Sequence, residues 1–273
     1  MVDSSLTFEE GEPIQIGTHG QHDFVYEGGE PVVDRGQSTL TFEEGTGLGG
    51  GGDMLFYWYG EDFTNFSGFS GMATEATTVL GSNAYERRAA NVGLDEALAE
   101  RTYAYVAVAF TGGVGAPDSA DKSALSDWWT NTGSGLAFFS EANDNEVEER
   151  GTEAIDLVSA VLGSDGFSTT VIKPFGTQQG IACTTNGVPS GSDHPVFTGV
   201  DELARGDSEQ GINGGVTEVG GTSTPVWAYL EETDGRRMWL DGGWVHISDD
   251  WIDACDDGRQ YGRQVIEWLD GQI

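Results

Sequence analysis

Gly133-Ser-Gly-Leu-Ala-Phe-Phe-Ser-Glu-Ala-Asn-Asp-Asn-Glu-Val-Glu-Glu-Arg-Gly151 is the stretch on which the fold turns. A glycine pair leads into a short continuous apolar run, Leu136 to Phe139, which then gives way to Ser140, Glu141 and an acidic helix start. An apolar run of that length, closed by polar residues that open a helix, predicts a short buried strand feeding a helix. In open α/β sheets the carboxyl end of such a strand is where ligands and catalytic groups gather.

Outward from that strand, the same grammar repeats. Met54 to Tyr59 is apolar and aromatic and predicts the first strand of the main domain. Asn65 to Gly81, rich in Gly, Ser and Thr, predicts a surface loop, and Tyr85 to Glu100 has helical spacing through Ala89, Val92, Leu94, Ala97 and Leu98. Tyr103 to Phe110 reads as a second fully buried strand, Ser119 to Thr130 as a helix with Trp128 and Trp129 inward, and Glu146 to Leu162 as a further helix. Thr169 to Lys173 predicts a fourth strand, and Ile181 to Gly199 an irregular stretch. Late in the chain, Gly214 to Val219, Val226 to Leu230, Arg236 to Leu240 and Trp244 to Ile247 read as strands. The second and third of these form a hairpin about Asp234-Gly235. Gly258 to Leu269 reads as a closing helix, and the alternation as a whole predicts a three-layer α/β domain.

Residues 1–52 are of another kind. Ser5-Leu-Thr-Phe-Glu-Glu-Gly11 returns as Thr39-Leu-Thr-Phe-Glu-Glu-Gly45, 34 positions on, with a degenerate copy around Phe24. This predicts a β-rich repeat module too poor in apolar residues to bury a core alone, so that it docks through Phe8, Phe24 and Phe42. The run Gly47-Leu-Gly-Gly-Gly-Gly-Gly-Asp53 predicts a hinge between this module and an α/β domain over 53–273. It is no phosphate loop, since no Gly-Lys-Ser/Thr follows.

With 46 acidic residues against 12 basic, the formal net charge is −34, while 11% aromatic and 37% apolar residues are too many for a disordered acidic chain. Self-repulsion on that scale favours a folded state in multimolar salt, where charges are screened within about 3 Å. Lys122 and Lys173 are the only lysines, and the composition resembles proteins of salt-in halophilic archaea. Nucleic-acid partners are disfavoured for want of a basic patch. No stretch of about 18 apolar residues and no leader pattern is found, which predicts no membrane span and synthesis in the cytoplasm. Cys183 and Cys255 read as two unconnected buried thiols, with a disulfide as the alternative.

Several motifs together resemble the class I glutamine amidotransferase-like fold, a flavodoxin-like variant, over residues 54 onward. They are Thr111-Gly-Gly113, Trp128-Trp-Thr-Asn-Thr-Gly133, Gly135-Leu-Ala-Phe-Phe139 and His194-Pro-Val-Phe-Thr-Gly-Val200. Active members carry a Cys at a Gly-x-Cys-x-Gly elbow, with a His and a Glu after a late strand. Here Phe138 and Ala142 flank Ser140 where a tight elbow needs small residues, and Ser248, not Glu, stands two residues beyond His246. The resemblance therefore implies the fold without the catalytic triad. If chemistry remains, Ser140, Glu141, His194 and His246 are the groups for it, with Ser140 as nucleophile and His194 as base of a hydrolase.

Three other clusters have simpler readings. Asn143 to Glu149 resembles a calcium loop in composition but lacks its glycine. Asp249, Asp250, Asp253, Asp256 and Asp257 read as a solvated acidic face, and His19 and His22 lack a third ligand, so neither a metal nor a cofactor is expected. The repeat type loosely resembles segments of structural proteins of haloarchaeal viruses. The expectation is a non-enzymatic structural or interaction protein of a virion, assembling with other protein subunits as a homo-oligomer or particle.

Overall fold

The computed structural model describes residues 52–60, 68–111, 116–141, 149–163, 166–174, 181–190, 192–206, 208–219 and 225–273; within residues 1–51 it describes the backbone of four short strands. The chain divides into two compact units, Met1–Gly45 and Thr46–Ile273. In the first, β1 (Ser4–Leu6) pairs antiparallel with β2 (Ile14–Ile16), and β3 (Asp23–Phe24) with β4 (Val32–Val33). Phe24 ends β3, whereas Phe8, Phe42, His19 and His22 lie outside the described residues.

The second unit runs β5 (Met54–Tyr59), α1 (Ser70–Leu80), β6 (Ala84–Arg88), α2 (Leu94–Ala99), β7 (Tyr105–Phe110), α3 (Ser119–Asn131), β8 (Gly135–Phe139) and α4 (Glu149–Leu162). Next come β9 (Phe167–Ile172), β10 (Ala182–Thr184), β11 (Leu203–Arg205), β12 (Glu209–Ile212), β13 (Thr217–Val219), β14 (Trp227–Glu231) and β15 (Arg237–Asp241). The short α5 (Asp249–Ile252) and then α6 (Gly258–Leu269) close the chain. Seven strands form one sheet in the order β6-β5-β7-β8-β15-β14-β13, parallel from β6 to β15 and antiparallel beyond. Counting only the parallel strands, the order is 2-1-3-4-5, which is flavodoxin-like.

Every residue of β5, β7 and β8 is buried, because helices cover both faces. Alternation divides their side chains between two cores. Phe56, Ala107 and Phe139 meet α1 and α6, and Tyr57, Val108 and Phe138 meet α2, α3 and α4. Phe138 and Phe139, adjacent in sequence and both fully buried, thus anchor opposite layers. Gly135 opens β8 where a Cβ would stand 2.9 Å from both Leu269 Cβ and Tyr105 Cδ1, so the end of α6 can cross the sheet closely only over a glycine. On α1 the buried Glu75 accepts from Arg263 Nε at 2.9 Å and Arg259 Nη1 at 3.3 Å, tying α1 to α6.

Several expectations are corrected. Residues 70–80, expected in a loop, are α1, and Tyr85 to Arg88, expected to begin a helix, belong to β6 (Ala84–Arg88), an edge strand parallel to β5. Thr169 to Lys173 does not extend the main sheet: β9 pairs with β12 in a separate two-stranded sheet. Within the stretch expected to be irregular, β10 pairs with β11, and Trp244–Ile247 is a 3-10 turn rather than a strand. Cys183 and Cys255 are bonded as a disulfide, not separate thiols. The hairpin expected about Asp234-Gly235 is β14–β15, with Gly235 at φ 90°. Among the described residues no helix is long and apolar enough to cross a membrane.

Truncating either phenylalanine should cost about 3–5 kcal/mol of unfolding free energy. Measured by denaturant titration in molar salt, Phe138→Ala and Phe139→Ala should lose similar amounts. Hydrogen exchange should place the first loss on α3 and α4 and the second on α1 and α6.

Candidate functional site

Beneath the carboxyl ends of β8 and β15 the fold buries a set of polar and charged groups. Asp241 is the last residue of β15, and the chain then turns through Gly242 and Gly243 into the 3-10 turn that carries His246. A Cβ on Gly242 would stand 1.9 Å from the Gln210 carbonyl oxygen, so the turn and β12 approach this closely only because the residue is glycine. Gln210 N donates to Gly242 O and Gly242 N to Val226 O, fixing that approach.

His246 is fully buried and bonded at both ring nitrogens. Nδ1 lies 2.8 Å from both Asp241 carboxylate oxygens, and Nε2 lies 3.1 Å from Glu209 Oε1. Glu209, on β12, accepts in turn from Arg205 Nε at 2.8 and 3.1 Å and from Arg205 Nη2. Tyr261 of α6 donates to Asp241 Oδ2 at 2.6 Å and accepts from Trp239 Nε1 at 3.0 Å, while Gly243 N donates to Asp241 Oδ1 at 2.9 Å. Trp227 covers the cluster, with its ring 5.2 Å from that of His246 and 5.0 Å from the Arg205 guanidinium carbon.

The electrostatics follow from that geometry. Burial alone pulls an imidazole down, but the charge and hydrogen bond of Asp241, joined by Glu209, outweigh it and lift His246 to about 9. Burial likewise raises a carboxyl, yet Arg205, by charge and hydrogen bond, and then His246 bring Glu209 down to about 2. Tyr261 is pushed well above its ordinary range by burial and by Asp241, so it serves as a neutral donor. With two cations facing two carboxylates, the cluster is neutral overall. An imidazolium that gives both protons to carboxylates has no lone pair for general-base work.

The residues singled out in the sequence do not come together as a catalytic set. Ser140 continues the alternation of Leu136 and Phe138 and gives its hydroxyl proton to Gln210 Oε1, whose amide nitrogen reaches Gly151 O at 3.1 Å and Ser168 O at 2.8 Å. His194 is in the opposite layer, its ring packed on Tyr229, Trp239 and Trp268 at 4.6 to 5.3 Å. Its Nδ1 accepts from Val196 N, and burial followed by Arg237 lowers it to about 4. The expected pairing of Ser140 with His194 is therefore replaced by two separate arrangements on opposite faces. Glu141 is half-buried just beyond β8, and residues 143–148 of the calcium-like stretch lie outside the described residues. Among the described residues no group of three or more His, Cys, Asp or Glu could hold a metal ion.

The acidic stretch 249–257 is more than a solvated face. Asp249 caps α1 from the far end of the chain, accepting from Ser70 N at 2.9 Å, Ser70 Oγ at 2.8 Å and Gly71 N at 2.6 Å. Glu86 Oε2 takes Phe69 N at 3.4 Å. Asp253 pairs with Arg259, and Asp257 accepts from Asp201 N and Glu202 N at 2.8 and 2.9 Å. The late tryptophans are interior: Trp227, Trp239 and Trp244 are buried and Trp251 is half-buried. In a flavodoxin-like order the ligand crevice opens between the first and third strands, here β5 and β7. Segments 61–67, 112–115 and 142–148, which follow β5, β7 and β8, lie outside the described residues.

No protein-family model matches the chain, and no curated protein matches it. Seven chains of solved structure do. One is a crystal structure described as that of a ThuA-like protein from Bacteroides uniformis ATCC 8492, 14% identical, with a TM-score of 0.42 over 86% of this chain and 95% of that one. A likeness at that level carries no argument about the site, and the fold stands on the strand order itself.

The cluster makes stability depend on pH with a definite sign. His246 rises from 6.5 unfolded to about 9 folded, so its contribution is complete below 6.5 and is lost as pH climbs through 9. Glu209 falls from 4.5 to about 2, so its contribution is complete above 4.5 and is lost as pH drops through 2. Denaturant midpoints in molar salt should plateau between those limits. His246→Gln should remove the alkaline decline and cost about 3–5 kcal/mol, since it leaves two buried carboxylates facing each other.

Proposed function

We propose that the chain is a non-enzymatic structural or interaction protein of a halophile, a virion-associated component such as a capsid decoration, spike, turret or tail part. Its α/β domain is an amidotransferase-like head without catalytic activity, and its first 52 residues dock it to other copies or other subunits. One observation supports this most. The groups that could have formed a nucleophile and its base are kept apart: Ser140 is bonded to Gln210 and His246 to Asp241 and Glu209, while His194, its Nε2 without a partner among the described residues, packs in an aromatic layer on the face opposite Ser140. The elbow position agrees, because Phe138 beside Ser140 is fully buried in the core and leaves no room for a tight nucleophile turn.

The surface chemistry fits the same reading. A net charge of −34 is tolerable where mobile ions screen it, and it deters phosphate-bearing partners. Among the described residues the only large apolar side chain that is exposed is Ile273, so the α/β head offers no apolar docking face there. Adhesion then falls to the repeat module, with Phe8 and Phe42 at matching positions of the repeat and Phe24 in its degenerate copy. A hydrolase using Ser140 and His194 would need a base within reach of Ser140 Oγ, and the two residues occupy opposite layers.

Light scattering in multimolar KCl should give an assembly heavier than the 29.1 kDa monomer. The full chain carrying Phe8→Ser, Phe24→Ser and Phe42→Ser together should run as a folded monomer. A wild-type monomer under these conditions would end the docking idea, and ester hydrolysis abolished by Ser140→Ala would restore the enzyme. Halophily has its own measurement. The melting temperature should climb between 0.1 M and multimolar KCl, by about 2–4 °C for each kcal/mol of repulsion screened.

A further inference from the structure

The Cys183–Cys255 disulfide lies beside the buried cluster, and its placement there relates the two. Two arms enclose Asp241, His246, Glu209 and Arg205. The first is the β10–β11 hairpin, in which Cys183 stands opposite Ala204 and Ala182 opposite Arg205. Arg205, the counterion of Glu209, is thus the immediate neighbour of the residue across from Cys183, and its Nη1 also donates to Asn186 O at 2.8 Å on the same arm. The second arm runs from Asp241 through the 3-10 turn and α5 into α6. It carries His246 and Tyr261, with Cys255 between them.

The disulfide joins these arms across 72 positions. The same arms are also joined by polar bonds, from Asp201 N and Glu202 N to Asp257 and from Gln260 and Gln264 to Thr198 O, and by apolar packing in which Phe197, Val200 and Leu203 share a core with Ile252, Tyr261 and Val265. The polar bonds compete with water, and the covalent bond does not. The two sulfurs also differ in access, Cys183 being half-buried and Cys255 buried.

We propose that the Cys183–Cys255 disulfide is a redox-sensitive latch that holds the β10–β11 arm closed over the ionised His246 cluster and releases it on reduction by a dithiol. A thiolate of the dithiol attacks Cys183 Sγ, the S–S bond breaks, and Cys255 leaves as a thiolate that takes up a proton. The second thiol of the dithiol then displaces Cys183, which leaves as a thiol, and the dithiol becomes a disulfide: two electrons and two protons in all. With the arm released, Arg205 no longer has a fixed approach to Glu209, and water reaches an imidazolium that the closed form keeps dry. The sheet core built on β7 and β8 does not depend on this bond and stays folded.

The test uses the full chain in multimolar KCl, with and without dithiothreitol, followed by reoxidation with oxidised glutathione. Hydrogen exchange is read by mass over 182–205 and 244–258 and over the reference strands β7 and β8. Modification of His246 by diethylpyrocarbonate is read by peptide mass. Reduction should speed exchange in both arms and modification of His246 by at least about tenfold, leave β7 and β8 protected, and reverse on reoxidation. Cys183→Ser should behave like the reduced protein without any reductant. If that variant does not fold, reduction of the wild type decides alone. The latch is refuted if reduction changes arm exchange and His246 reactivity by no more than about twofold, or if β7 and β8 open together with the arms. Alkylation of both cysteines in the untreated folded protein would refute it as well.

Discussion

Four charges held out of water beneath the end of β15 set the terms for the second half of the chain. A buried carboxylate costs several kcal/mol unless it is paired and hydrogen-bonded, and neither Asp241 nor Glu209 could remain there alone. Each requirement recruits another element. Asp241 needs the 3-10 turn for His246 and α6 for Tyr261, His246 needs β12 for Glu209, and Glu209 needs β11 for Arg205. The glycines at 242 and 243 are the backbone expression of the same demand, since β12 passes within a carbonyl's reach of the turn. The short sheets β9–β12 and β10–β11, which look peripheral by strand order, are thus tied into the body through charge as well as through the apolar side chains of Phe167, Ile212 and Leu203 and the backbone bond from Gln210 N to Gly242 O.

The charge economy outside the core is the reverse. The chain has few cations, and the fold places them where carboxylates are crowded or buried. Arg205 serves Glu209, Arg259 and Arg263 serve Glu75, and Arg237 serves Glu231 together with the Trp268 and Ile273 carbonyls. Arginine suits this use, because its planar fork meets a carboxylate at two points and stacks on rings, as Arg205 does on Trp227 and Arg237 on Trp268. Among the described residues, Asp121 and Asp270 are also buried, and they are held by the hydroxyls of Tyr59 and Tyr105. These carboxylates inside are thus bonded to arginines or tyrosines, and the acidic excess of the sequence is one that screening salt makes tolerable.

Legibility in the sequence followed the range of the interactions involved. Strands β5, β7 and β8 were visible as apolar runs, and β14–β15 as a hairpin, because burial and turn chemistry are local signals. Helix α1 was not visible. Its sequence, Ser70 to Leu80, has no N-terminal side-chain cap of its own, and the carboxylate that satisfies its first amides belongs to Asp249, 179 positions away. Strand β6 was misread because Ala-Tyr-Glu-Arg-Arg is half-exposed at the sheet edge and lacks alternation, while the genuine helical spacing after it belongs to α2. Asp241, Glu209 and Arg205 were passed over because, among 46 acidic residues, a buried acid looks like any other. A signal was present nonetheless: Asp241 follows Met238-Trp-Leu240 without a break and is followed by Gly242-Gly-Trp-Val-His246, which is not how a surface acid sits.

The same long-range cap bears on what the sheet edge could bind. In flavodoxin-like folds the amino end of the first helix, where free amides and the helix dipole converge, is the natural seat for an anion. Here Asp249 already occupies it with bonds to Ser70 and Gly71, and Glu86 stands beside it on Phe69 N. An incoming phosphate would have to displace one carboxylate, approach a second, and cross a surface field of strong negative sign. Three independent penalties of one sign fall on the same class of ligand. The described residues at this edge therefore disfavour a phosphate-bearing ligand, and they do so through Asp249 and Glu86.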